Sequence, residues 1–277
     1  AELIAKHGPP KIDDARRDAA LRIMSVLLWG ELAAWAISAD LAEQIDDVEA
    51  KMAATSQAHD EARHFYVLRD YLRALGHPVP RLGGLGRRLL ISILETPSLV
   101  HKLIGMQLLV ESNALSIFKG LVDANVEPVL HELLPYYEQD EARHVGLGVM
   151  YLPRLLSKLT RVETAAAVAF QLRSVALLMS GGLAFHRDFE ALGMNHREMA
   201  RHTIRLQNEI VKDMLDGDGG EKRYDAVRGL LNPARGFGPK ILDFMHPQGG
   251  RENVPTWHRT ALRWWTKGAR FADRALA

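Results

Sequence analysis

The sequence of 277 residues contains no cysteine, and this absence excludes several kinds of protein and site. A disulfide-stapled secreted module, a cysteine-ligated zinc or iron–sulfur site and a catalytic thiol all need cysteine. Neither sign of charge dominates, because 35 basic residues stand against 34 acidic ones and give a net charge of +1. No overall field therefore attracts nucleic acid or an anionic membrane. We expect no nucleic-acid partner, and we expect other partners to be recognised through local features.

Long uninterrupted apolar runs are also missing. The longest apolar stretch, residues 165–185, is interrupted by Gln171 and Arg173. The N-terminal residues AELIAKHGPP lack the apolar centre of a signal peptide. The sequence therefore predicts a cytoplasmic protein with no membrane span.

Proline is scarce and unevenly placed. There are 12 prolines, with none between Pro10 and Pro78 or between Pro153 and Pro233. Long proline-free spans favour helices. Apolar residues recur every three or four positions and do not alternate with polar ones, so strand signals are weak. We predict an all-α fold.

Four long helices are predicted in the first part of the chain. They begin near Asp13 or Asp14, after the Asp46–Asp47 turn, after residue 97, and at Pro128 or Pro135. Residues 76–97 hold three prolines and are predicted to form a long connection around a short apolar piece. Two short connections around a long one predict a four-helix bundle with a crossover. We predict this bundle over residues 1–158. A helical extension over 159–277, with about three more helices, is predicted to pack on it.

Acidic residues inside apolar helices are the most informative feature. Glu31 lies in VLLWGELAAW and Glu111 in MQLLVESNAL. A buried carboxylate costs several kcal/mol unless it is protonated, paired or bound to metal. The second and fourth helices carry HDEARHF and QDEARHV. A spacing of three puts the Glu and the His of each motif on one helical face.

These acidic residues and histidines follow a repeat. Thirty residues separate Glu31 from Glu61 and Glu111 from Glu141, and an offset of 80 relates the two halves. A duplicated helical hairpin explains this register and would bring four glutamates and two histidines together. Two divalent cations cancel the four negative charges, and the mixed oxygen and nitrogen ligands suit iron or manganese better than zinc. The predicted ligands are Glu31, Glu61, His64, Glu111, Glu141 and His144.

With these motifs the sequence resembles the ferritin-like di-iron carboxylate superfamily, over residues 14–158. The longer motif DExRH is similar to the motif of multicomponent monooxygenase hydroxylases and acyl-carrier-protein desaturases. The resemblance implies that Asp60 holds His144 and Asp140 holds His64, with Arg63 and Arg143 anchoring the aspartates. The sequence differs from one relative, because Leu68 occupies the position of the radical tyrosine in the radical-generating subunit of ribonucleotide reductase. We therefore expect no stable tyrosyl radical.

Helical spacing brings further side chains close to the predicted cluster, among them Gln57 and Tyr137, each one turn before an ExxH glutamate. Tyr137 either donates a hydrogen bond to it or packs in the core with its hydroxyl at a carbonyl. Gly148 either leaves space for a substrate or allows close helix packing. Trp35 and Leu115 are predicted cavity walls.

The implied function is that of an O2-dependent di-iron oxidoreductase. Two iron ions, or a manganese–iron pair, would use O2 as co-substrate to hydroxylate, desaturate or N-oxygenate a small apolar or carrier-bound substrate. Electrons would come from an external donor such as a ferredoxin and its reductase, because no dinucleotide-binding motif is present. The sequence does not fix the oligomeric state, and a homodimer is one assembly that it allows.

Two other functions are kept as alternatives. The first is ferroxidase, iron-handling or peroxide-scavenging activity, although a cysteine-ligated rubredoxin domain is excluded. The second is an interaction scaffold without chemistry. The C-terminal helix adds a stripe of basic residues beside three tryptophans, which either docks an acidic ferredoxin or carrier protein or is a solvated helix packed by its tryptophans. The stripe consists of Arg259, Arg263, Lys267, Arg270 and Arg274.

Overall fold

The computed structural model describes residues 2–76, 78–79, 81–216 and 253–276, together with 240, 243–245 and 247. Within these residues every regular element is a helix. The predicted all-α fold is confirmed. The glycine-rich and proline-rich stretches at residues 216–220, 232–239 and 246–250, where the sequence favours breaks between the C-terminal helices, lie almost entirely outside the described residues.

Two antiparallel hairpins of helices form the bundle. The first pairs α2 (Asp14–Gln44) with α3 (Val48–Ala74). The second pairs a segmented third helix with α7 (Pro128–Leu156). The two hairpins meet where α3 packs against α7. A short helix at the N-terminus, α1 (Glu2–His7), lies against α7.

Side-chain caps explain where the bundle helices begin. Asp13 accepts a hydrogen bond from the backbone N–H of Arg16 at the start of α2, and Asp47 accepts one from Ala50 at the start of α3. Such caps satisfy backbone donors that the first helical turn leaves without partners. The fourth helix begins at Pro128 and runs on through Pro135, so of the two predicted starting points Pro128 is the correct one.

The third bundle helix differs from the prediction. The prediction of one continuous α-helix over residues 98–124 is wrong. Three helical segments follow one another instead: α5 (Leu99–Leu103), a π-helix (Ile104–Glu111) and α6 (Ser112–Asp123). Residues 104–111 are apolar on almost every side, and such a pattern carries no signal of the helical period. The π-helix ends at the predicted ligand Glu111.

The long connection between the hairpins also contains more structure than predicted. Residues 84–94 form the helix α4 (Gly84–Leu94). It packs against the third bundle helix so closely that a Cβ on Gly105 would lie 2.6 Å from the Ile93 side chain. The glycine therefore permits contact between α4 and the π-helix.

The apolar interior is divided into two clusters along the bundle. On α2, Met24 and Leu28 belong to one cluster, and Ile37 and Leu41 belong to the other. Glu31 lies between them and is buried. The polar site is thus a layer at mid-height, with apolar packing above and below.

Further helices pack around this bundle. They are α8 (Arg161–Ala184), α9 (His186–Ala191), α10 (His196–Asp216) and α11 (Thr256–Leu276). The helix α10 lies against α6 and α7, whereas α8 and α11 lie against each other and against α4. The division of the chain at residue 158 stays a prediction.

Two helices, α2 and α8, are long and apolar enough to cross a membrane by length and composition alone. Helix α2 is a core helix of the bundle, and half or more of its apolar window is buried. Core helices of this kind pass the same test, so the finding is weak evidence for a span. The absence of a membrane span stays a prediction.

Candidate metal centre

The structure brings the six predicted ligands together at the centre of the bundle. Helix α2 contributes Glu31, α3 contributes the first ExxH pair, the π-helix ends with Glu111, and α7 contributes the second ExxH pair. None of the six side chains is more than 5% exposed. They are Glu31, Glu61, His64, Glu111, Glu141 and His144.

The ligand atoms form two overlapping groups. One consists of Glu31, Glu61, His64 and Glu141, and the other of Glu61, Glu111, Glu141 and His144. Within each group the ligand atoms lie within 4.8 Å of one another. Glu61 and Glu141 belong to both groups, so each can offer one oxygen to each of two ions. The arrangement fits a dinuclear site in which Glu61 and Glu141 would be shared between two ions.

Both imidazoles turn the same nitrogen towards the carboxylates. His64 Nδ1 lies 3.3 Å from Glu31 and 3.2 Å from Glu141, and His144 Nδ1 lies 2.9 Å from both Glu61 and Glu141. The opposite nitrogens face aspartates that come from the other ExxH helix. Nδ1 is therefore the nitrogen available to a metal ion.

The aspartates lie behind the histidines in the crossed arrangement that the resemblance implies. His64 Nε2 is 3.1 Å from Asp140 Oδ2, and His144 Nε2 is 3.4 Å from Asp60 Oδ2. An acceptor at this nitrogen fixes the tautomer and the ring orientation of a metal-binding histidine. The role of both aspartates in metal binding stays a prediction.

The two arginines link the aspartates more tightly than the sequence indicates. Arg63 donates to Asp60 at 2.9 Å and to Asp140 at 2.5 Å. Arg143 likewise donates to both carboxylates. Each arginine thus joins the two ExxH helices, and the four side chains close one end of the site.

Burial and mutual repulsion perturb the carboxylates of the cluster. Burial raises the pKa of Glu31 well above its ordinary value, and the neighbouring carboxylates Glu61 and Glu141 raise it further. Burial and the same carboxylates raise the pKa of Glu111. For Glu141, hydrogen bonds from Glu111 and the histidines outweigh burial and lower the pKa.

The pKa values of both histidines are raised, although burial by itself would lower them. Burial lowers the pKa of His144, but its contacts with Glu141 and Glu61 outweigh this and raise the pKa to about 10. Contacts with three carboxylates raise the pKa of His64 in the same way. Protons therefore supply the positive charge that divalent ions would bring, and metal binding must displace them.

The residues present fit a pair of metal ions. Glu61 Oε2 is buried and has no hydrogen-bond partner, which leaves a lone pair free for a cation. The donors are carboxylate oxygens and imidazole nitrogens, and two divalent ions would balance four carboxylates. Such a mixed set suits iron or manganese.

A pair of amides lies beside the cluster: Gln57 is expected there from helical spacing, whereas Gln107 was not predicted. Gln57 Nε2 donates to Glu111 at 2.9 Å and to Glu61 at 3.2 Å, and Gln107 Nε2 donates to the Gln57 carbonyl at 3.0 Å. The signal was available, since Gln107 is an amide within the apolar run IGMQLLV, one turn before Glu111. The offset of 80 relates it to Leu27, so the two halves of the site differ here.

The contacts of Tyr137 and Gly148 decide between the two alternatives that the sequence leaves for each residue. The Tyr137 hydroxyl donates to the His64 carbonyl at 2.8 Å, while its ring stacks on the His64 imidazole. Tyr137 is thus a core tyrosine and does not donate to a ligand side chain. A Cβ on Gly148 would lie 2.7 Å from the Gln107 Cβ, so this glycine permits close helix packing and leaves no substrate space.

A small cavity of about 50 Å³ lies on the side of the cluster where Glu31, Glu111 and Glu141 line it. Its wall is otherwise mainly apolar and comes from α2 and the third bundle helix. The prediction that Trp35 and Leu115 form its walls is wrong, because Ala34 and Ala114 line the cavity instead. Trp35 points outwards and packs against Phe65. The remaining lining residues are Val26, Leu27, Gly30, Val110, Asn113 and Ile117.

Comparison with known proteins gives a structural match. No protein-family model and no curated protein matches the chain. A solved structure described as "Protein 19 with aldehyde deformylating oxidase activity from Synechococcus" superposes with a TM-score of 0.66 at 20% identity, covering 80% of this chain and 98% of that one. The chain has a ferritin-like fold. Within this ferritin-like bundle, the carboxylate and histidine cluster is the candidate di-iron site.

Proposed function

We propose that this chain is an O2-dependent di-iron oxidase acting on an apolar organic substrate. The observation that carries the proposal is the pair of overlapping ligand groups that share Glu61 and Glu141. Two iron ions at these groups would supply the reduction of O2. The activity described for the structural neighbour, aldehyde deformylating oxidase, supports an oxidase within this fold.

The chain's own residues have three tasks in this function. The six ligands hold the ions, and Asp60 and Asp140 orient the imidazoles through Nε2. The two apolar clusters on either side exclude water from the buried site. The cavity beside Glu31 and Glu111 is larger than the roughly 10–15 Å³ that one water needs, so it can admit O2 or the reacting end of a substrate.

The substrate and the reaction subtype are the finer part of the proposal. Hydroxylation, desaturation and N-oxygenation stay predictions, and the neighbour adds the oxidation of an aldehyde as a further candidate. A long aliphatic chain exceeds a cavity of about 50 Å³, so only the reacting end of such a substrate would fit there. An external electron donor and a cytoplasmic location also stay predictions.

The experiment supplies Fe(II)-loaded protein with O2, a ferredoxin and its reductase, and a long-chain aldehyde. We expect O2 uptake that depends on the aldehyde and yields an oxidised or shortened product by mass spectrometry. The variant Glu111→Ala should lose this uptake, whereas Glu49→Ala, at an exposed site on α3, should keep it. Uptake that follows only the added Fe(II), whatever organic substrate is present, would instead establish an iron-handling protein.

A further inference from the structure

Helix α11 has an inward face that packs against the rest of the protein. Leu262, Thr266 and Ala269 are buried, and the indole N–H of Trp265 donates to Ser180 of α8 at 3.3 Å. Asp273 accepts a hydrogen bond from the backbone N–H of Leu85 at 3.0 Å. The helix is therefore held along its length against α4 and α8, and its opposite side faces solvent.

Three large aromatic side chains stand on that outer side. Trp257 is 67% exposed, Trp264 is 74% exposed and Phe271 is 75% exposed. They are spaced seven residues apart, about two helical turns, so they form one line about 21 Å long. The expectation of a helix packed by its tryptophans is thus wrong for two of the three. A line of exposed aromatics costs solvation free energy unless another surface covers it.

The basic residues of α11 occupy a separate side of the same helix. Arg259, Arg263, Lys267, Arg270 and Arg274 follow one another at intervals of three or four residues, which places them between the inward face and the aromatic line. Asp273 is the only acidic residue in α11, and its contact with α4 turns it away from solvent. The outer surface of α11 is therefore aromatic on one side and cationic on the other.

The neighbouring helix α8 adds apolar surface. It passes the length and composition test for a membrane helix, yet only 28% of its apolar window is buried. Leu172 is 51% exposed and Val162 is 79% exposed. Two helices that pack against each other thus both leave apolar side chains uncovered.

We propose that α11 is a docking helix for an anionic phospholipid bilayer and lies parallel to the membrane surface. Aromatic rings on one side and arginine and lysine on the other are the pattern of an interfacial helix, in which indoles lie at headgroup level. The exposed cations Arg263, Lys267 and Arg274 would pair with lipid phosphates beside them. An anionic bilayer suits this surface better than an acidic protein does. The aromatic side chains lie in a straight line on a convex helix, so they can all enter a flat membrane surface, whereas a protein partner would need pockets to receive them. The proposal is independent of the metal centre.

The test measures co-sedimentation of the full chain with vesicles of phosphatidylcholine alone and of equal parts phosphatidylcholine and phosphatidylglycerol. We expect binding to the anionic vesicles, a blue shift of tryptophan fluorescence, and weakening by salt. Each basic residue near an anionic surface contributes about fivefold in partition, so Arg263→Glu with Lys267→Glu should lower partition at least about 25-fold. The triple variant Trp257→Ala, Trp264→Ala, Phe271→Ala should abolish the blue shift.

A matched control replaces Tyr66 and Tyr136, which are also more than half exposed but lie on α3 and α7. This control should bind like the unchanged protein. Circular dichroism of every variant checks that the helices remain. The proposal is overturned by absence of binding to anionic vesicles, by binding that the aromatic triple variant retains, or by saturable binding of ferredoxin that needs the α11 stripe while vesicles do not bind.

Discussion

At the scale of single residues, the aspartates behind the histidines decide how the imidazoles face the metal ions. Asp60 contacts His144 and both arginines. Asp60→Ala should therefore lower metal affinity by about 10–100-fold, since loss of a partner behind a ligand histidine typically has this effect. The measurement is Fe(II) bound per chain in anaerobic titration. Asp70→Ala, at an exposed position on the same helix, is the control, and equal affinity in both variants would refute the role of Asp60.

A second residue-scale prediction concerns the amide that touches two ligands. Gln57→Leu removes the donor to Glu61 and Glu111 and leaves Gln107 without its acceptor. Leaving buried polar groups unpaired costs about 1–3 kcal/mol each, so we expect a loss of that size in the free energy of unfolding of the metal-free protein. Urea denaturation measures it. Gln44→Leu, at the exposed end of α2, should change stability little, and parity between the two variants would contradict the role of Gln57.

The pH dependence of the metal-free protein follows from His144. Its contacts with Glu141 and Glu61 raise its pKa to about 10, above the roughly 6.5 of a free histidine. The stability this provides is fully present below about pH 6.5 and is lost as the pH rises towards 10. Urea denaturation of chelator-treated protein should show this decline. His144→Gln should make it shallower, whereas His59→Gln, at an exposed site, should not.

At the scale of elements, close contact between the π-helix and α7 shapes the site. A Cβ on Gly148 would lie 2.7 Å from the Gln107 Cβ, whereas a Cβ on Gly146, on the same helix, meets nothing within 4 Å. Gly148→Ala should therefore destabilise the protein by about 1–3 kcal/mol through overpacking. Gly146→Ala should stabilise it by about 0.5–1 kcal/mol because alanine favours the helix. Thermal and urea denaturation measure both, and the same sign in both variants would contradict the packing.

Elements also show how far the sequence could predict the structure. The four bundle helices and the six ligands follow from capping residues, helical periodicity and the offset of 80 residues, because a duplicated hairpin repeats its buried carboxylates. The π-helix does not follow, since Ile104 to Leu109 are all buried and lack a polar face that would reveal the helical period. Gln107 lies one turn before Glu111 in this run, so its place beside the cluster could be predicted, whereas its partner Gln57 comes from the other hairpin and spacing along one helix does not reveal it.

At the scale of the whole molecule, the site depends on two hairpins meeting. The α2–α3 hairpin and the hairpin of the third helix with α7 each supply two glutamates and one histidine. Neither half holds a complete ligand group, because each group takes members from both hairpins. Metal binding should therefore stabilise the assembled bundle, and the melting temperature should rise with Fe(II) concentration under anaerobic conditions.

The most direct test of the central claim is the number of Fe(II) ions bound per chain after anaerobic loading, together with the Mössbauer spectrum before and after O2. We predict about two ions per chain, as the two ligand groups that share Glu61 and Glu141 require. We also predict that O2 converts both ions to a coupled ferric pair. One ion or none per chain, or unchanged iron content in Glu141→Ala, would contradict the dinuclear site.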